Sequence, residues 1–249
     1  MTRAVRIALL AASASAALAA CAYNEALGRN QLLIVDNGSL VQQSNAAWAE
    51  QVRTQNAATT GAQVDRIRRI GDRLVQAAGL GGRTWDYAVF TNQSPNAFVL
   101  PSGQIGVTTG LLALVQNDDQ LAAVIGHEIG HVVAQHAAER TSSSALTSAA
   151  LQLGTRVAGD YGQAVGAIGG LGAQYGILLP YSRRDELEAD RLGVDYLQAA
   201  GWRPSQSVAL WRLMAAQRQT QVPQFASTHP SDDTRISALE QYIASRGWS

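Results

Sequence analysis

Lysine is absent from this 249-residue chain: all 19 basic side chains are arginine, they balance 19 acidic ones, and no basic run forms anywhere. That spread offers no patch or stripe to hold a phosphate backbone, which argues against nucleic acid as a partner. Cysteine occurs once, at Cys21, so an intramolecular disulfide is ruled out. Size does not call for one, because a chain this long that is 47% hydrophobic can bury a sizeable core. The alanine-, glycine- and serine-rich stretch 141–180 lacks 18 consecutive apolar residues, being broken by Arg156, Asp160 and several glutamines. It reads as a close-packed helical hairpin, not a membrane span. Histidine is scarce too, and three of the four fall within the sixteen residues "IGHEIGHVVAQHAAER", Ile125 to Arg140.

The N-terminus is of another kind. "MTRAVR" is short and basic, "IALLAASASAALAA" is apolar but too short and alanine-rich to span a bilayer comfortably, and Cys21 follows at once. Residues 1–20 therefore read as an export signal that is removed. "LAAC" (Leu18 to Cys21) resembles the bacterial lipoprotein processing box, in which the cysteine thiol carries diacylglycerol. A lone cysteine in an exported chain is then consumed by lipid. Ala22 after it is similar to the outer-membrane sorting pattern of Gram-negative lipoproteins. Removing residues 1–20 leaves 17 basic against 19 acidic residues, so no polybasic second anchor is expected.

Residues 21–47 read as a lipidated N-terminus and tether, with a turn signal at "DNGS" (36–39), and 48–249 as one domain without repeats or linkers. Within that domain, "VDRIRRIGDRLVQAAG" sets Val64, Ile67, Ile70, Leu74 and Val75 on one helical face, stopping near Gly79, with its arginines on a solvated face. "WDYAVFTN" (85–92) has strand composition. "NAFVLPSGQIGVTTGLL" (96–112) holds two extended segments about the Pro101-Ser102-Gly103 turn, so a two- or three-stranded antiparallel sheet is expected. Asn117 with Gln120 makes an N-cap and capping box, Asp118 and Asp119 suit the first turn, and helical periodicity then carries the histidine-rich stretch. "SRRDELEADRLGVDYLQAAG" reads as a helix ending near Gly201. A further helix has Pro204 in its first turn, and the loop "VPQFASTHPSDDTR" leads into a terminal helix.

His127 and His131 are four residues apart, so on a helix their imidazoles project from one face and can grip one ion. Glu128 follows the first histidine, where its carboxylate can reach an activated water without occupying a coordination position. Zinc acidifies such a water and polarises a carbonyl, and the glutamate takes the proton. With four histidines and seven glutamates in the chain, this five-residue pattern arises by chance in about 0.2% of such sequences. His136, five residues past His131 on a continuous helix, points away and reads as a surface or locally hydrogen-bonded residue; Glu139 and Arg140 read as ordinary helix residues. Two histidines do not close a zinc site, and "DELEAD" offers Asp185, Glu186, Glu188 and Asp190. Glu186 and Asp190 share a face and Glu188 points elsewhere. This suggests Glu186 on zinc with Asp190 holding a ligand histidine, although spacing alone leaves either carboxylate able to bind metal. His229 is either an exposed loop histidine, a hydrogen-bond donor to an oxyanion, or a resting-state neighbour of the metal. Arg235 either supports the same site or caps Asp232 and Asp233.

Taken in order, "NAFVLPSGQIGVTTGLL", "HEIGHVVAQHAAER", "SRRDELEADRLG" and "STHPSDDTRI" resemble the Ste24/HtpX-like (M48) zinc metallopeptidases, particularly the bacterial outer-membrane lipoprotein members. The resemblance covers roughly residues 48–244. It implies an α+β fold, a mainly helical zincin-like domain with a small antiparallel sheet packed against the active-site helix, and an edge strand near Asn96 to Leu100 that holds peptide in extended form. It implies His127, His131 and Glu186 as zinc ligands, Glu128 as base, Asp190 as the supporting carboxylate and His229 as the late active-site histidine. The implied activity is endopeptidase hydrolysis of periplasmic or outer-membrane polypeptides in envelope quality control, with unfolded or misassembled chains as substrates and a lipid anchor on Cys21. A metal-stabilised chaperone or assembly lipoprotein, and a hydrolase of small amides, are the alternatives. Many members have paired glycines where this chain has Pro101-Ser102-Gly103, which bears on substrate fit. Nothing in the sequence fixes an oligomeric state.

Overall fold

The computed structural model describes residues 21–35, 37–157, 182–217, 229 and 233–248. Residues 1–20, read as an export signal, the second half of the expected 141–180 hairpin and most of the expected loop around His229 lie outside the described residues. Among the described residues no helix is long and apolar enough to cross a membrane. The chain divides into two units, 1–37 with 137–179, and 38–136 with 180–249.

In the first unit, strands β1 (Cys21–Asn24) and β2 (Arg29–Leu32) form an antiparallel hairpin. Asn24 Oδ1 accepts from the amides of Ala26 and Leu27, and Gly28 takes φ 66°, which together make the tight reversal. Glu139, expected to be an ordinary helix residue, accepts two hydrogen bonds from Arg29 at 2.9 and 2.8 Å and one from Gln31 at 2.7 Å. Ser142 Oγ accepts from the amides of Ile34 and Val35.

The second unit contains helices α1 (Asn37–Thr54, from Gly38 on), α2 (Ala62–Ala77), α3 (Thr109–Leu114), α4 (Asp118–Val133), α6 (Arg183–Ala199), α7 (Ser205–Gln217) and α8 (Asp233–Ser245). Between α4 and α6 in the chain comes α5 (His136–Val157), of which only His136 belongs to this unit. Of the expected turn at "DNGS", the described residues 37–39 lie in the first turn of α1. α2 buries the expected stripe of Val64, Ile67, Ile70, Leu74 and Val75, and Gly79 at φ 71° ends it. From its arginine face, Arg66 reaches Asp118 at the start of α4.

Strands β3 (Asp86–Phe90), β4 (Ala97–Leu100) and β5 (Gln104–Thr108) form one sheet in the order β3-β5-β4. The β4–β5 hairpin is antiparallel, as expected, but β5 lies parallel to β3. The chain passes from β3 out to the edge as β4 and turns back through Pro101–Gly103 into the middle, so β5 runs in the direction of β3. All five β5 residues are buried, as suits a central strand. Gly106 is required there, since an added Cβ would lie 2.4 Å from the Phe98 ring and 2.9 Å from that of Phe90. Those rings and Trp48 form a cluster of edge and tilted contacts.

Asn117 caps α4 by accepting from the Gln120 amide at 2.9 Å, while Gln120 reaches back to the amide of Gln116, one residue before the cap. From Gln120 to His131 every residue of α4 is buried, so this helix is the core of the unit and packs against α2, α6, α7 and β4. Its closest partner is α6, and small residues make the approach possible. A Cβ on Gly193 would sit 2.8 Å from the His127 nitrogen, and one on Gly130 would sit 2.8 Å from the Ala189 oxygen. Backbone meets backbone there, which sets the α6 carboxylates against the α4 histidines.

Candidate metal centre

A buried helix carrying His127, Glu128 and His131 must satisfy three polar side chains away from water. The partners come from α6 and α8. Ser182 caps α6 in a capping box completed by Asp185, which assigns Asp185 to the helix end. Next along the helix Glu186 is fully buried, and one turn further in Asp190 is 3% exposed, both facing α4. His127 Nδ1 is 3.0 Å from Asp190 Oδ1, so the ring donates there, and once neutral it presents the Nε2 lone pair inward.

Four donor atoms converge on one point. His127 Nε2 lies 3.1 Å from His131 Nε2 and 3.2 Å from His229 Nδ1; Glu186 Oε1 is 3.0 Å from His229 Nδ1 and 3.4 Å from His131 Nε2. Ligands placed 2.0–2.1 Å from a tetrahedral zinc are separated by about 3.4 Å, which is the spacing found here. Facing imidazole lone pairs at such distances call for a cation between them, and three nitrogens with one carboxylate oxygen suit zinc. His127, His131, Glu186 and His229, all buried, are thus consistent with a zinc site. His229 is no exposed loop residue: it is 5% exposed.

Glu128 lies beside this cluster, with the Val99 backbone of β4 near enough to favour its ionised form. Its Oε1 is buried without a hydrogen bond from any described residue, although His229 Nε2 is 3.3 Å away. Burial, only partly offset by His229 and His127, holds this carboxyl above the usual carboxylate range. An ionisable oxygen kept dry and free beside a metal cluster is the arrangement a general base needs.

Arg235, on α8, is 1% exposed and spans both carboxylates, with Nη2 2.8 Å from Asp190 Oδ1 and Nη1 2.5 Å from Glu186 Oε2. Its guanidinium stacks on Trp211 of α7, which also meets the His127 ring edge-on at 5.1 Å. The Arg235 charge and its hydrogen bonds overcome burial to keep Asp190 low. Burial likewise opposes Glu186 ionising, but the three histidines and Arg235 outweigh it and hold it far below the usual range. In the metal-free chain burial disfavours His127 protonation, yet Asp190 and Glu186 prevail and lift it to about 9. His131 goes the other way, pushed down chiefly by burial. Arg235 is thus turned to Asp190 and Glu186.

Of the two readings of His136, surface or locally hydrogen-bonded, the structure keeps the second and removes the first, and the ring does not point away from His131. It is 1% exposed, with Nδ1 2.9 Å from His131 Nδ1 and Nε2 2.9 Å from Glu188 Oε2. The five-residue spacing misleads because α4 ends at Val133 and Gln135 takes φ 53°, so a new helix starts at His136 and turns it back. A glutamine gives no signal of such a break. Glu188 does point away from Glu186, as expected, and its target is His136. Trp211 and the α4–α6 glycines also belong to the site; their only trace in the sequence is the four-residue spacing of Gly126 with Gly130 and Ala189 with Gly193.

A family model described as Peptidase family M48 matches residues 62–243. The chain is 35% identical over 179 residues to the mitochondrial metalloendopeptidase OMA1 of Schizosaccharomyces pombe, covering 71% of this chain and 52% of that protein. It is 30% identical over 233 residues to the Bos taurus protein of that name, covering 87% and 45%. To the Beta-barrel assembly-enhancing protease of Escherichia coli it is 29% identical over 185 residues, covering 69% and 37%. The chain thus spans about half, or less, of the length of these relatives.

Proposed function

As the chain belongs to peptidase family M48, we propose that it is a zinc-dependent endopeptidase of the bacterial envelope that cleaves unfolded or misassembled periplasmic and outer-membrane polypeptides. The observation carrying this reading is the convergence of His127 Nε2, His131 Nε2, Glu186 Oε1 and His229 Nδ1 beside an unsatisfied Glu128 oxygen. His127, His131 and Glu186 hold the ion, and Asp190 fixes the His127 ring. Zinc bound there supplies Lewis acidity toward a scissile carbonyl and a water. Glu128 takes the proton from the attacking water and returns it to the leaving amine. His229 is a fourth donor in this arrangement; displaced toward substrate, it gives a hydrogen bond to the developing oxyanion. β4 is one edge of the sheet and packs against the helix that carries Glu128, so a substrate paired along β4 would run past the base.

The division into a signal at 1–20, a lipidated segment at 21–47 and a peptidase domain at 48–249 belongs to the same proposal, with diacylglycerol on Cys21 anchoring the chain to the periplasmic face of the outer membrane. The relatives named as metalloendopeptidases and as a β-barrel assembly-enhancing protease support polypeptide substrates. The test is digestion of casein and of an unfolded outer-membrane β-barrel polypeptide by the full-length chain, with mass analysis of its N-terminal peptide. Fragments that a chelator suppresses, and a diacylglycerol mass on Cys21, are expected. A zinc-loaded chain that leaves both polypeptides intact would be a chaperone or assembly factor, and turnover of small amides alone would mark a different hydrolase.

A further inference from the structure

Two hydrogen-bonding side chains, Glu188 and His136, stand in line behind His131, and neither is among the four that converge on the metal cluster's centre. Glu188 Oε2 is 2.9 Å from His136 Nε2, and His136 Nδ1 is 2.9 Å from His131 Nδ1. With His131 ligating through Nε2, its neutral ring carries hydrogen on Nδ1, and proton counting along this line then leaves one arrangement. An ionised carboxylate only accepts, so His136 Nε2 carries hydrogen and donates to Glu188. A neutral imidazole then has a lone pair at Nδ1, which accepts from His131 Nδ1–H. His131 is left with its Nε2 lone pair aimed at His127 Nε2 and Glu186 Oε1. We propose that Glu188 and His136 are positioning residues that fix the tautomer and ring orientation of His131, as Asp190 does directly for His127. The proposal rests on His131 being a zinc ligand.

The arrangement explains why His136 is buried at the first position of a new helix. It also distinguishes Glu188 from the other carboxylates of "DELEAD": Glu186 faces the cluster, Asp190 holds His127, and Asp185 caps α6. His136, Asp185 and Glu188 lie close enough together to be considered as a second metal group, but both ring nitrogens of His136 already face polar atoms. A second ion is therefore an outcome that the test must separate.

The test uses the full-length chain and three measurements: zinc stoichiometry, zinc affinity by chelator competition, and nitrogen-15 shifts of the four histidine rings. In the zinc-loaded chain His131 should carry hydrogen on Nδ1 and His136 on Nε2 alone. His136→Phe should weaken zinc binding about 10–100-fold, whereas His136→Asn, whose amide oxygen can accept where Nδ1 did, should stay within a few-fold of wild type. Glu188→Ala should weaken binding about tenfold with His136 present and have little effect in the His136→Asn background, which needs no tautomer fixing. A proton on His136 Nδ1, equal affinities for the Phe and Asn variants, or two zinc ions falling to one in His136→Phe would overturn the proposal. Failure of the underlying reading looks different: His131→Ala would then hold zinc as tightly as wild type.

Discussion

Replacing Gly193 by alanine should destabilise this chain, although glycine-to-alanine changes within helices ordinarily do the reverse. The helical preference of alanine contributes about 0.8–1 kcal/mol in its favour. Against it, the new Cβ would lie 2.8 Å from the His127 nitrogen and 3.0 Å from both Gly126 C and His127 Cα, all backbone atoms unable to swing aside. Comfortable contact needs about 3.5–4.0 Å, so α4 and α6 must part by roughly 0.5–1 Å. Overpacking of this kind costs about 1–3 kcal/mol, leaving a net loss of up to about 2 kcal/mol. The same movement draws Glu186 from the histidines, where a metal site tolerates about 0.2 Å, so zinc affinity should fall tenfold or more, on the order of a lost ligand contact. Urea unfolding of the metal-free chain and chelator competition measure the two effects. Gly126→Ala, whose Cβ would be 3.2 Å from the Gly193 oxygen, should cost less. A Gly193→Ala chain at least as stable as wild type, with unchanged zinc affinity, would refute the argument that backbone approach builds this site.

Further expectations concern the charges. Arg235→Met would leave Asp190 and Glu186 buried without their cation and should cost about 3–5 kcal/mol in urea unfolding of the metal-free chain; a loss under about 1 kcal/mol would contradict the pairing. Zinc takes a neutral ring, and in the metal-free chain His127 titrates at about 9 because Asp190 and Glu186 outweigh burial. A proton must therefore leave below that pH, and zinc affinity should rise about tenfold per pH unit from 7 toward 9 and flatten above it. A flat profile between pH 7 and 9, measured by chelator competition, would show that His127 is not protonated there.

Much of this centre was legible because helical periodicity is rigid. Four-residue spacing puts His127 and His131 on one face, and the same rule puts Glu186 with Asp190, but it cannot say which carboxylate faces the ion. That choice is made by the register of α6 on α4, set where Gly193 and Ala189 meet the backbone of Gly126, His127 and Gly130. That His136 does not point away from His131 has a local cause: a reversal at Gln135 carries none of the glycine or proline that usually announces one. The sheet was placed correctly from strand composition, yet the parallel β3–β5 pairing depends on where the hairpin inserts, a non-local choice that alternation does not encode. From spacing and composition alone Arg235 and His229 were visible only as alternatives, since charge and imidazole on a loop or a short helix become informative once a buried partner is known.

The most direct test compares wild type with Glu128→Gln, each shown to carry one zinc ion per chain, in hydrolysis of an unfolded polypeptide under metal-controlled conditions. Wild type should cleave, and the variant should lose about 10²–10⁴-fold in rate with zinc content and affinity unchanged. Full activity in the zinc-loaded variant would contradict the assignment of Glu128 as the base of a zinc peptidase.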